Sequence, residues 1–173
     1  MVRQSLAHLL PVAALTLGLV APLAAEECPD AACQGTSIAS VTVGTILRLT
    51  LDGTTMVTAS PTQAAYDAGY LALAGPRAVV KSNQAWRLQI SAAEETWTPA
   101  DAAARAGKPA ADLTWSTTSE GGFRSLTTTV RDVATGAPTR GAILPLFYRT
   151  RFDRTRDTPG TYSIVVRLTV VGA

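Results

Sequence analysis

Histidine is all but missing from this sequence: the only one, His8, falls in the first 25 residues, which read as a segment removed on export. The chain that follows has no imidazole. Ser-His-Asp and Cys-His catalysis, H-E-x-x-H metalloprotease chemistry and ordinary zinc or iron sites all need that side chain, so they are excluded. Cysteine is nearly as scarce. Cys28 and Cys33 are the only two, and they enclose Pro29-Asp30-Ala31-Ala32. That spacing is not the C-x-x-C of a redox or metal pair; it fits a small disulfide loop contributing about 2 kcal/mol at the start of the exported chain. Lysine is rare too, with Lys81 and Lys108 standing alone among arginines. Also absent are a G-x-S-x-G elbow, an S-x-x-K pair, a Walker loop and a G-x-G-x-x-G turn. Asp52-Gly53 lacks the alternating acids of a calcium loop. No catalytic residue, cofactor or metal is expected, and the chain is not expected to be an enzyme.

Charge is missing from one stretch in particular. After Arg3 no charged residue occurs until Glu26, and the apolar centre runs Leu9-Leu10-Pro11-Val12-Ala13-Ala14-Leu15-Thr16-Leu17-Gly18-Leu19-Val20. A basic start, a short apolar centre and the small residues Ala21-Pro22-Leu23-Ala24-Ala25 are the order of a secretory signal peptide, with cleavage expected after Ala25. The centre is shorter than the roughly 20 residues a bilayer span needs, and Pro11 and Pro22 bracket it. Residues 1–25 are therefore expected to be a signal peptide and residues 26–173 a single β-sandwich domain. The expected location is outside the cytoplasm: periplasmic, cell surface or extracellular, with no membrane span after cleavage. The exported part is nearly neutral, 14 basic residues against 13 acidic, so nucleic acid is not an expected partner.

Threonine supplies 23 of the 148 residues after the signal, and β-branched side chains suit a pleated surface. Along Tyr162-Ser163-Ile164-Val165-Val166-Arg167-Leu168-Thr169-Val170 the period is two, with Tyr162, Ile164, Val166, Leu168 and Val170 on one face. In residues 85–91, Trp86, Leu88 and Ile90 alternate with Arg87, Gln89 and Ser91. Further strands are expected at 38–43, 45–51, 54–58, 77–81, 113–117, 123–130 and 142–152. Asp52-Gly53 is expected to turn a hairpin, and Asp157-Thr158-Pro159-Gly160 to feed the final strand. Short strands with such punctuation indicate an all-β sandwich or barrel. One short surface helix is expected near 99–106, because Thr98-Pro99-Ala100-Asp101 resembles a capped helix start and Gly107 a stop.

Three clusters invite a functional reading. Glu94-Glu95 is the only adjacent acidic pair beyond Glu26-Glu27 at the expected cleavage point, but neighbours on a strand point to opposite faces and cannot converge on one substrate. Arg149, Arg151, Arg154 and Arg156 form a patch suited to an anionic ligand such as an acidic glycan, partly neutralised by Asp153 and Asp157. Trp86, Trp97 and Trp115 could form a stacking platform, although the pattern places Trp86 and Trp115 in the core and leaves only Trp97 beside the expected helix.

Asp157-Thr158-Pro159-Gly160-Thr161-Tyr162-Ser163, leading into Val165-Val166-Arg167-Leu168-Thr169-Val170, resembles the ending of bacterial secreted Ig-like β-sandwich proteins of the pilin-like and spore-coat-protein-U-like kind. Val80-Lys81-Ser82-Asn83-Gln84-Ala85-Trp86-Arg87-Leu88 is similar to an internal strand of the same proteins. The resemblance implies an Ig-like antiparallel β-sandwich and a non-catalytic structural or adhesive surface subunit of the bacterial envelope. Strand exchange is among the modes of assembly it implies. Other envelope or surface subunits, or glycans, are the expected partners, and a glycan- or ligand-binding module is the alternative.

Overall fold

The computed structural model describes residues 38–57 and 60–173. The expected signal peptide and the Cys28 and Cys33 pair lie outside the described residues. The chain divides into Met1–Val41 and Thr42–Ala173. Of the first unit, residues 38–41 are described; they are exposed and carry no regular secondary structure.

The second unit runs β1 (Leu47–Leu51), α1 (Gln63–Ala68), β2 (Tyr70–Ser82), β3 (Trp86–Ala92), β4 (Thr98–Pro99), a 3-10 turn (Ala110–Asp112), β5 (Leu113–Ser116), β6 (Arg124–Ser125), β7 (Arg131–Gly136), β8 (Thr139–Arg151), β9 (Tyr162–Ser163) and β10 (Val166–Gly172). One sheet has the order β1-β2-β8-β5-β6 and the other β10-β3-β7, while β4 and β9 form a two-stranded ribbon. Every pairing is antiparallel. The fold is all-β and sandwich-like, as the composition and period indicated.

Alternation decides which faces meet. In β3, Trp86, Leu88 and Ile90 are buried; in β8, Leu146, Tyr148 and Thr150 are. Ala78 and Val80 of β2 pack with Trp86 and Leu88 of β3, and Leu113, Trp115, Leu146 and Tyr148 pack with Ile90 and Ala92. Burying a large apolar side chain this way is worth about 1.5–3 kcal/mol. Polar ends inside the core need partners, and Trp86 Nε1 donates to the Ala137 carbonyl at 2.9 Å.

The long pair β2–β8 is bent by a bulge. Ala74 faces Phe147 and Arg77 faces Pro145, so Gly75 and Pro76 stand opposite Leu146 alone. A Cβ on Gly75 would lie 2.2 Å from the Tyr148 ring, so that ring is seated on bare backbone. Two prolines are tolerated for positional reasons: Pro76 sits in the bulge, and Pro145 lies beyond the point where β5 stops pairing with β8 at Phe147.

Four local expectations are corrected. Residues 99–106 form no helix: Pro99 is in β4, and the Asp101 carboxylate accepts from the N–H groups of Ala103 and Ala104 at 3.0 Å and of Thr161 at 2.7 Å. Such side-chain bonds offer the backbone an alternative to the helix ladder, and the alanines supply no apolar face to oppose it. The helix lies instead at α1, where Thr62 Oγ1 accepts from Ala65 N–H and Gly69, at φ 76°, closes the end. Asp52-Gly53 turns no hairpin, because Asp52 Oδ1 accepts the Arg77 N–H at 2.6 Å and the chain leaves the sheet to build α1. Residues 38–43, and the described part of 54–58, form no strand.

Hydrogen bonds from Thr161, then from Ala104 and Ala103, hold the Asp101 carboxyl below its ordinary 3.8. A depressed carboxyl stabilises the fold fully above its unfolded value and ceases to as pH falls through its folded one. Replacing Asp101 with alanine should therefore flatten the loss of stability between about pH 5 and pH 2, measured by urea unfolding. Leu88→Ala, at a fully buried position, should cost about 2–5 kcal/mol at neutral pH in the same assay.

Candidate functional site

Two features of the sandwich are not closed by its own chain. β1 covers only residues 78–82 of β2, so among the described residues no strand pairs with residues 70–76 on that side. Beside this stretch lies a mostly apolar cleft of about 570 Å³. Leu51, Met56, Leu73, Trp97, Ile164 and Val166 are among the residues that line it. Its position follows from topology. The chain departs at Asp52 to form α1, and among the described residues no strand continues β1 down the sheet.

Behind the cleft, Tyr148 is 1% exposed, and burial pushes its phenol up to about 12, so it stays protonated. Among the described residues, neither its hydroxyl nor the indole N–H of Trp97 has a hydrogen-bond partner. A buried donor left this way costs about 1–3 kcal/mol.

A second, smaller cavity of about 240 Å³ lies at one end of the sandwich, lined by Arg105, Lys108, Thr155, Arg156, Asp157 and Tyr162. Lys108, 5% exposed, donates to Asp157 Oδ2 at 2.6 Å, to the Arg151 carbonyl at 2.8 Å and to Asp112 Oδ2 at 3.2 Å. Arg156 Nη2 reaches the same Asp112 oxygen at 2.6 Å. Two cations and two carboxylates thus balance: Lys108, Asp112 and Asp157 are nearly closed to water, and Arg156 is half exposed.

The four arginines of the sequence patch are largely engaged. The Arg149 guanidinium is stacked over Phe123, 3.8 Å from the ring centre, and over Tyr70 at 4.7 Å. Arg154 pairs with Asp67 of α1 at 2.6 Å and lies over the Tyr66 ring, while Arg156 is held by Asp112. Arg151 is exposed, and its carbonyl accepts from Lys108. Trp86 and Trp115 are core residues, Trp97 lines the cleft, and Glu94 and Glu95 are exposed outside any strand. The residues around Lys108 went unread in sequence because Lys108, Asp112 and Asp157 lie on separate loops and short turns. Their one local signal was the rarity of lysine itself.

Among the described residues no helix is long and apolar enough to cross a membrane. No protein-family model matches the chain, and no curated protein matches its sequence.

Removing an orphaned buried hydroxyl should help the fold. Tyr148→Phe is expected to raise stability by about 1 kcal/mol in urea unfolding, and a destabilised variant would mean that the hydroxyl has a partner.

Proposed function

We propose that this chain is an exported, non-catalytic structural or adhesive subunit of the bacterial envelope that joins its neighbours by strand addition. The observation that carries the reading is the unpaired stretch 70–76 of β2 beside an open apolar cleft, a place shaped for one more strand. Complementary material exists in the same chain. Ile38, Val41, Val43 and Ile46 are 94, 86, 74 and 60% exposed, far more apolar surface than edge segments usually leave to water. Ala39, Val41 and Val43 also continue, two by two, the sequence face that Leu47, Leu49 and Leu51 turn inward from β1. A second copy offering residues 38–46 supplies backbone groups for the free edge and apolar side chains for the cleft. A ligand-binding module is the second reading, favoured by the unpartnered donors of Trp97 and Tyr148 behind the same cleft.

Light scattering after size exclusion separates the two. The chain from Glu26 onward should form oligomers that Val41→Asp with Val43→Asp converts to folded monomers. That monomeric variant keeps its cleft, so it should bind a synthetic peptide of residues 37–46. A wild-type chain that stays monomeric at high concentration, together with a peptide that does not bind, would sink the strand-addition reading.

A further inference from the structure

Lys108 is an unusual choice for its position. Lysine is seldom fully buried, and this chain otherwise places arginine at nearly every basic position. Arginine would satisfy a buried pair at least as well, through its fork of donors. What lysine alone offers is a primary amine that becomes nucleophilic on losing a proton. Its surroundings exclude water that would compete or hydrolyse: the side chain is 4% exposed, that of Asp157 is 6% exposed, and the Phe152 ring stands 5.3 Å from Nζ. Nζ already lies 2.6 Å from the Asp157 carboxylate, with a second carboxylate 3.2 Å away, so the reacting groups are held in contact by the fold.

We propose that Lys108 and Asp157 become joined by an intramolecular amide bond once the chain has folded. Lys108 Nζ attacks Asp157 Cγ, the new N–C bond forms, and one Cγ–O bond breaks. Two protons leave the ammonium nitrogen and depart with the released oxygen as water, so no oxidant or outside reactant is needed. Asp112, 3.2 Å from Nζ, is the proton carrier between nitrogen and leaving oxygen. Asp157 Oδ2 is held by the Asp153 N–H at 3.0 Å, which polarises the carbonyl under attack and steadies the oxygen that remains as the amide carbonyl. The bond would close a loop running from before β5 to beyond β8, restricting the unfolded chain as a disulfide does, without cysteine and without dependence on redox conditions. The cross-link stands apart from strand addition, since it occupies neither the cleft nor residues 38–46.

Intact-mass spectrometry of the purified, reduced and denatured chain tests this. The wild-type mass should be lower than the sequence mass by one water, and protease digestion should yield a branched peptide joining Lys108 to Asp157. Lys108→Arg and Asp157→Ala should show the full mass, and Asp112→Ala should reduce the cross-linked fraction. A full wild-type mass overturns the proposal, as does a water loss confined to one linear peptide or a branch that ends on Asp112. Because the branched peptide is sought in the wild-type chain, the test holds even if a variant fails to fold.

Discussion

The pairing of β2 with β8 is the constraint on which the rest of this molecule depends. They are its two longest strands, and each carries one flank of the larger sheet: β1 hangs from β2, while β5 and then β6 hang from β8. Their inward residues also supply the wall against which β3 packs. The bulge at Gly75 and Pro76 is what lets thirteen residues keep alternate side chains inward while the sheet bends. It also creates the bare seat for the Tyr148 ring, so the backbone geometry of β2 sets the position of the largest fully buried side chain.

That arrangement separates two kinds of incompleteness. At the seam the deficit is of backbone and apolar contacts, because β1 ends while β2 continues. At the loop end the deficit is of water, since Lys108, Asp112 and Asp157 have been brought together where solvent scarcely reaches, with Arg156 at the rim. The proposed strand addition draws on the first, and the proposed amide bond on the second. Neither depends on histidine or cysteine, which agrees with a chain that uses neither inside its described body.

Much of the sheet structure was legible because burial imposes a period of two. β3 and β10 stood out through Trp86, Leu88 and Ile90 and through Val166, Leu168 and Val170, whose faces carry no polar interruption. The first half of β2 was missed because Ala72, Ala74, Gly75 and Pro76 dilute the alternation and contain a bulge. The helix was misplaced because Thr98-Pro99 looks like a helix start, whereas the tertiary bond of Asp101 to Thr161 holds that segment out of a helix, and the Thr62 cap of α1 went unread. The cleft had no local signature. Leu51, Leu73, Trp97 and Ile164 belong to four separate segments, each reading as an ordinary core residue, and only the early departure of the chain at Asp52 leaves space among them.

The antiparallel ladder between β1 and β2 has a mechanical consequence. Residues 42–46 feed directly into β1, so a pull on them acts along the strand and is opposed by β2 running the other way. Five residue pairs, from Leu47 with Ser82 to Leu51 with Ala78, then bear the load in parallel. A ladder loaded in shear must yield all at once, whereas one peeled from its end yields bond by bond. Against tension that enters ahead of β1 and is opposed along β2, these five pairs would therefore yield as one unit.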